Sequence, residues 1–599
     1  MSRSGQAALA AVFIISSQPL RADVTPDEVW LSWQNMALAQ GQKLTADSTE
    51  TDSDTLTITG LTLTLGDGGS ATMEQIDLTD NGDGTVDIAV PESFPVHLIL
   101  PKGTEATQTT VDLTVSDPGA AITASGVPES INYEKHLPRL EIVAKGQSGP
   151  MQIEVTLKAV EVKGKYLAEA GESGQNLTGE FSAQSLDLTA GAKGGEAGSD
   201  IDVKLSLSDP GGKLQLTGLP ADSKIELDAA LDAGLTFDGS LTYGIGSLDI
   251  SGTDAGKPMK LAGTLGGGSM AMALDAAKFH YDINNRAISL NLAGTDQASG
   301  GDFTFVGSMA DLTNMLDING RGWSKSGDFG AALKAGLVMA ASAGLGSTNF
   351  DFSGGPADKP VKIKASLASV STDFTLASSQ LTYDFGSKAL SVTVVSPEIP
   401  VPEVTLDVGE VAVGLVMPVA KSDKPAPFTY LTKIVDLKLP EALWSMFDPG
   451  GSLSHDPATL IINTKGTATM TKDLMDDATA LKNGATTAPG ILNSLEIPQI
   501  VARALGAEVT AKGAFTFDAS DMATIPDMPM PTGKIDIRAT GLNSLVDKLV
   551  AMGLLPQDQA MQGKIMMSMF ALNDMTKDEI TTVLEFKDKH FFANGAQLQ

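Results

Sequence analysis

Ala229-Ala230-Leu231-Asp232-Ala233-Gly234-Leu235 returns 102 residues further on as Ala331-Ala332-Leu333-Lys334-Ala335-Gly336-Leu337. The likeness runs without a gap from Ala229–Asp296 onto Ala331–Glu398, with roughly a third of the positions identical. Ser251-Gly252 meets Ser353-Gly354, Lys257-Pro258 meets Lys359-Pro360, and Tyr281-Asp282 meets Tyr383-Asp384. An ungapped match of this length marks an internal duplication. The same offset sets Gly198, Asp200 and Gly218 on Gly300, Asp302 and Gly320. A weaker echo sets Asp117-Pro118-Gly119 on Asp209-Pro210-Gly211, 92 residues later. Residues 111–400 therefore read as about three tandem units of roughly 92–102 residues. Each holds short alternating runs, KIELDAAL, GLTFDGSLTYG, RAISLNLAG or LSVTVV, joined by Gly, Asp and Asn turns. Apolar residues at every second position mark strands with one greasy and one wet face. Stacked units of this kind predict an all-β protein: an elongated, repeat-built antiparallel sheet, groove- or barrel-like.

Before the repeats, residues 23–110 read as a helix followed by hairpins. Thr25, Pro26 and Glu28 form the signature of a capped helix start. Val29, Trp30, Trp33, Met36 and Ala37 share one face, and Gly41 ends the helix. The paired tryptophans are expected to plug a core. In Thr55-Leu56-Thr57-Ile58-Thr59-Gly60-Leu61-Thr62-Leu63-Thr64-Leu65 the apolar phase reverses at Gly60, where a bulge would re-aim the strand. Asn81-Gly82-Asp83-Gly84 lies between two alternating runs and predicts a hairpin turn. It resembles a calcium loop only superficially. If Asp77 opened such a loop, Ile88 would occupy the place of the bidentate acid.

Residues 401–599 read as a further β region with terminal helices. PEIPVPEVTLDVGEVAVGLVMPV carries prolines suited to edge or extended backbone. Leu439-Pro440-Glu441-Ala442-Leu443-Trp444 opens a short helix that stops at Asp448-Pro449-Gly450-Gly451. Residues 471–490 suggest a helix and a loop, and strands return at 507–518 and 534–540. Ser544 is the expected cap of a helix carrying Leu545, Val546, Leu549 and Val550 and ending at Gly553. Pro556 opens another, with Met561, Ile565, Met566, Met569 and Phe570. That Met stripe suits either an adaptable binding surface or, the preferred expectation, the buried side of a cap on the β structure. A hairpin around residues 587–590 closes the chain.

The 599 residues carry a formal charge of −32, no Cys and only 5% aromatics. Such acidity repels phosphate backbones and anionic headgroups, which argues against nucleic-acid partners. Without Cys there are no disulfides, thiolate nucleophiles or Cys-based zinc sites. Arg3, the apolar run Ala7–Ile15 and the polar SSQPLRA read as a secretory signal over residues 1–22. The run is too short to span a bilayer, and no later segment is long and apolar enough. An exported, periplasmic protein without a transmembrane helix is the expectation.

Chemistry is sparse. His97, His136, His280, His455 and His590 are scattered, with no partner at metal-ligand spacing. There is no HExxH, GxSxG, P-loop or dinucleotide fingerprint, and Gly256-Lys257-Pro258 lacks the upstream glycine of a phosphate loop. No catalytic, cofactor-binding or metal-ligating residue is assigned, and the protein is not expected to be an enzyme. Tyr281-Asp282 and Tyr383-Asp384 are best explained by turns at strand ends.

Several segments resemble an exported bacterial family known as domain of unknown function 2125. They are Ala22–Pro26 with Trp30, Asn81–Val86, Leu439–Trp444 with Asp448-Pro449-Gly450, and Gly553-Leu554-Leu555-Pro556. That family brings no activity and no site residues. The C-terminal VTAKGAFTFD and GKIDIRATGL, with the helix to Gly553–Pro556 and the last hairpin, are more distantly similar to AsmA-type envelope proteins. This second resemblance implies a β-sheet groove that shields lipid chains, although AsmA-type proteins usually keep a membrane anchor. Three functions follow as expectations: an envelope protein that binds or shields lipid acyl chains, a structural protein without ligand, and a secreted acidic enzyme or polysaccharide binder.

Overall fold

The computed structural model describes residues 23–39, 41–64, 70–99, 110–148, 151–171, 174–194, 200–220, 225–254, 256–296, 300–325, 329–474, 489–522, 524–525, 528–574 and 576–598. Outside them lie the expected signal segment 1–22, Leu65, Gly198 and most of the stretch 471–490. The chain divides into two compact units, Met1–Val306 with Met315–Gly327, and Gly307–Asn314 with Asp328–Gln599. The division falls within the span of the tandem repeats. Strand pairing in both units is antiparallel, as alternation and tight turns require.

The first unit opens with α1 (Pro26–Ala39). The Glu28 N–H donates to the Thr25 hydroxyl at 3.4 Å, and the Thr25 N–H donates to the Glu28 carboxylate at 2.9 Å. This reciprocal pair is the capping box expected from the sequence. At the other end Gly41 has φ +69°, which lets the Gln42 N–H reach the Ala37 carbonyl at 2.8 Å. Val29 and Met36 are buried, and Trp30 and Trp33 pack on the same cluster. The tryptophans therefore plug a core, as expected.

The strands beyond are long, and most are broken near the middle. Met151–Gly171 and Lys278–Thr295 are continuous. Between them the chain forms Gly174–Ser182 with Ser185–Lys193, Asp200–Ser208 with Gly211–Leu219, Thr236–Tyr243 with Gly246–Asp254, and Lys257–Leu265 with Gly268–Asp275. Pairing forks from one edge of Met151–Gly171 into two columns and rejoins on Lys278–Thr295, a ring of ten strands. The ring is not a barrel. The other edge of Met151–Gly171 pairs with Ser130–Ser148, so the two columns lie end to end along one edge.

Backbone hydrogen bonds tie the breaks into a line. Gln184 N–H reaches Val160 O at 2.9 Å, Asp209 N–H reaches Gln184 O at 3.0 Å, Ser208 N–H reaches Ile245 O at 2.9 Å, and Gly266 N–H reaches Ala287 O at 2.7 Å. Glu161 and Asp209 sit on this line with φ of +52° and +47°. A left-handed residue reverses the side-chain alternation along a strand as a bulge does, and the neighbouring strands break at the same level, so register stays unshifted across it. Gly60, where the sequence predicts such a bulge, has φ +67°. Asp47 leaves no room for a side chain there, since an added Cβ would lie 2.7 Å from its own Cβ.

The twin stretches fold alike. In the first unit α2 (Leu227–Asp232) precedes two broken strands and Lys278–Thr295. In the second, α3 (Phe329–Lys334) precedes Val338–Leu345 with Thr348–Gly354, Val361–Leu367 with Ser369–Leu376, and Gln380–Val395. Asp209 and Asp311, equivalent by the 102-residue offset, share φ +47°. Asp117 of the weaker echo lies at the break between Thr110–Ser116 and Ala121–Val127.

Four expectations need correction. KIELDAAL is read as a strand, but its residues from Leu227 onward belong to the helix Leu227–Asp232. Ala230 and Leu231 are buried, and alanine supplies helix propensity that outweighs a short alternation. Tyr281-Asp282 and Tyr383-Asp384 lie inside strands rather than in turns. In the second unit α4 (Glu441–Phe447) forms where expected, but α5 (Leu542–Ala551) begins before Ser544. Its cap is distant in sequence: the Asp578 carboxylate accepts the Asn543 and Ser544 N–H groups, both at 3.0 Å. Finally, α6 (Gln557–Phe570) does not bury its Met stripe. Met561, Ile565, Met566 and Met569 are 57–67% exposed. The remaining C-terminal elements, Ala507–Asp518, Met530–Thr540 and the hairpin of Glu579–Lys587 with His590–Ala593, match the sequence reading.

Candidate functional site

The bulges have a chemical consequence. A strand alternates its side chains between two faces, so one left-handed residue reverses the parity of everything after it. In Met151–Gly171 the apolar face is carried by Ile153, Val155, Leu157 and Ala159, and after Glu161 by Gly164, Tyr166 and Ala168. In Asp200–Ser208 it is carried by Val203, Leu205 and Leu207, and beyond Asp209 by Gly212, Leu214 and Leu216. The sequence phase and the bulge thus cancel, and both columns turn apolar side chains to the same face.

Register assembles these residues into rows. Leu157, Leu188, Leu205, Leu248, Gly263 and Leu290 are successive cross-strand neighbours. So are Val155, Ala190, Val203, Ile250, Leu261 and Leu292. In the other column Ala168, Leu177, Leu216, Phe237, Leu274 and Phe279 form a row. The opposite face is polar. There Lys158 pairs with Glu141 at 3.1 Å and the Ser206 hydroxyl donates to Asp187 at 2.5 Å.

The apolar face is covered at one place and bare at another. Under α1, Ile58 and Leu78 are fully buried. From Gly174 to Thr295, no hydrophobic strand side chain among the described residues is fully buried. Ile201, Met259 and Met270 remain 43–46% exposed. The second unit repeats the pattern on a smaller scale, with Phe350, Ala365, Val392 and Leu406 in one row and Phe352, Ile363, Val394 and Val404 in the next. Such a face suits long apolar groups, because burial there is favourable at about 25 cal/mol per Å² and needs no polar partner.

The histidines are not brought together. His97 meets Asp112 at 2.7 Å, His136 meets Glu161 at 3.0 Å, and His280 meets Asp317 at 2.8 Å. His590 Nδ1 lies 2.7 Å from the Asp588 carbonyl oxygen. No group of three or more His, Asp or Glu side chains could hold a metal ion among the described residues. In the turn after Asn81, Asp80 accepts the Gly82 N–H at 2.8 Å, and Asp83 accepts the Thr85 hydroxyl at 2.7 Å. These carboxylates shape a hairpin.

One cluster escapes a reading by spacing. His455 stacks on Trp444 with centroids 4.3 Å apart and planes 5° from parallel. Its Nδ1 lies 2.9 Å from Glu441, and Nε2 lies 3.6 Å from the buried Asp448. The Asp448 carboxylate accepts the Ser452 and Leu453 N–H groups at 2.9 and 2.6 Å. Glu441 and Asp448 together push the His455 pKa up, Glu441 contributing most. The cluster braces the turn after α4, whose last residues Met446 and Phe447 are exposed. Only the DPG turn and the nearby tryptophan signalled it.

The fold defines a class, a bulged antiparallel sheet with an uncovered apolar face. Residues 324–596 match the model of the family described as an uncharacterized protein conserved in bacteria, DUF2125. Leu439–Trp444, Asp448-Pro449-Gly450 and Gly553–Pro556, which suggest that family from sequence, lie within the matched span. Ala22–Pro26 and Asn81–Val86 lie before it. No curated protein matches the chain. No helix among the described residues is long and apolar enough to cross a membrane.

Proposed function

We propose that the protein is a non-catalytic, exported envelope protein that binds or shields lipid acyl chains on the apolar face of its sheet. The observation that carries this reading is the run of aliphatic rows between Gly174 and Thr295, none of whose side chains is buried and whose flanking Ile201, Met259 and Met270 are exposed. Leaving those rows in water is costly. A patch of this kind marks a binding surface. The rows are built of Leu, Val, Ile, Ala and Gly, which offer area without directional hydrogen bonds. That is what a methylene chain needs and what a sugar or a peptide does not. The similarity of the C-terminal strands to AsmA-type proteins points the same way. The apparent signal over residues 1–22 would deliver the protein to the envelope, where free lipid chains need shelter.

The test is native mass spectrometry of the full chain purified without detergent. Phospholipid or fatty-acid masses are expected on the protein. The double variant Leu205→Glu/Leu248→Glu, which sets charge in the middle of the rows, should lose them. A photoactivatable fatty acid should label peptides of Asp200–Ser208 and Gly246–Asp254. Protein that is lipid-free from its native envelope and unlabelled by the probe would sink the reading and favour a structural role.

A further inference from the structure

Lys135 stands on the apolar face of the sheet. In Ser130–Ser148 it shares the phase of Ile131, Tyr133 and Leu137, all of them buried. Register pairs it with Ile122. Its stem crosses the next strand, since a Cβ added to Gly164 would lie 3.4 Å from Lys135 Cε. The row continues through Phe181, Gly212, Leu241, Met270 and Ile283, with the Phe181 ring laid over Gly212. In the column that holds Ala168 and Leu177, every other described residue that register places on this face is uncharged. The acids Glu134 and Glu180 lie on the wet face, where Lys165 and Lys213 meet them at 2.8 and 4.0 Å.

A lysine can lay its methylenes on apolar surface and hold its ammonium in water. Such a group keeps its ordinary pKa. Lys135 does not, because burial pushes it down to about 8. Its charge is held where solvation is poor, and an anion beside it would relieve that cost. We infer that the lipid taken by this face is a fatty acid, whose carboxylate sits against the Lys135 ammonium while its chain lies along the bare rows. This rests on the acyl-chain reading above and adds to it the head and its place. A carboxylate suits the surroundings better than a phosphate. One ammonium offers three donors at a single point. The residues around it on this face, Ile122, Tyr133 and Leu137, bring no second cation. A phosphodiester would carry further ester oxygens and a polar substituent into the same apolar rows.

The experiment is titration of the lipid-stripped full chain with laurate, 1-dodecanol and dodecyl phosphate, which share one chain and differ in the head. Laurate is expected to bind most tightly. Lys135→Met, which keeps the apolar contacts of the stem, should lower its affinity by at least about tenfold. The same variant should leave the affinity for dodecanol unchanged, and Lys135→Arg should retain most of that for laurate. With a carbodiimide, bound laurate should form an amide with Lys135 Nζ ahead of the exposed Lys163 and Lys213. Equal affinity for laurate and dodecanol, laurate binding that Lys135→Met does not weaken, or acylation that passes over Lys135 would each overturn the head assignment and leave the acyl-chain reading standing. Tighter binding of dodecyl phosphate than of laurate would overturn the carboxylate. If the chain binds none of the three, both readings fall.

Discussion

Gly218 and Gly320 illustrate how single residues carry the architecture. Their match across the duplication says only that glycine recurs. The reason is conformational: Gly218 has φ +68°, and an added Cβ would lie 2.7 Å from the Gly234 carbonyl oxygen. Left-handed Glu161 is harder to foresee than Asp209 and Asp311, because aspartate is enriched at positive φ and glutamate is not. His455 allows a test at this scale. Its folded-state pKa lies above the ordinary value of 6.5, because Glu441 and then Asp448 stabilise the imidazolium. The stabilisation is fully present below the unfolded pKa and is lost as pH rises through the raised folded value. Thermal melts between about pH 6 and pH 8 should show the second unit losing stability upward in this range. His455→Gln should flatten that slope. An unchanged slope would mean that the stack on Trp444, and not the charge, braces the turn.

Elements differ in how far local sequence specifies them. Helix α1 carries its own signals, since Thr25 and Glu28 cap it and Gly41 ends it. The hairpin at Asn81–Gly84 is equally local. Helix α5 is not. The sequence offers Ser544 as its cap, but Asp578 supplies the oxygens from the far side of α6. Hydrogen bonds between segments so distant in sequence leave no local pattern. Asp578→Ala should destabilise the second unit by about 1 kcal/mol, the usual worth of a helix cap. Hydrogen exchange at Asn543, Ser544 and Leu545 should accelerate, while the amides of Gln380–Val395 should not. KIELDAAL failed as a strand for the converse reason, since two turns of alternation are too few to distinguish periods of 2 and 3.6.

At the scale of the whole molecule the decisive feature is that much of the sheet has no second layer. Strands normally bury one face against another element. Here α1 does this only for the first strands, and the rows beyond it stay half exposed. Unfolding should therefore uncover less apolar surface than is usual for a chain of this length. Calorimetry of lipid-free protein should give a heat-capacity increment below the usual range of about 12–15 cal/mol/K per residue. A value within that range would mean that the apolar face is covered in solution.

Sequence alone established the antiparallel β class, the duplication, the capped first helix and the bulge at Gly60. These are written in periodicity and turn chemistry, which act over a few residues. It also revealed the phase reversal in one strand. Only the tertiary structure decided that such reversals recur at aligned bulges, so that both columns turn apolar side chains to one face. It alone left the Met stripe of α6 in water. Both outcomes depend on which surfaces meet, and a strand or a helix carries the same pattern whether or not a partner arrives to cover it.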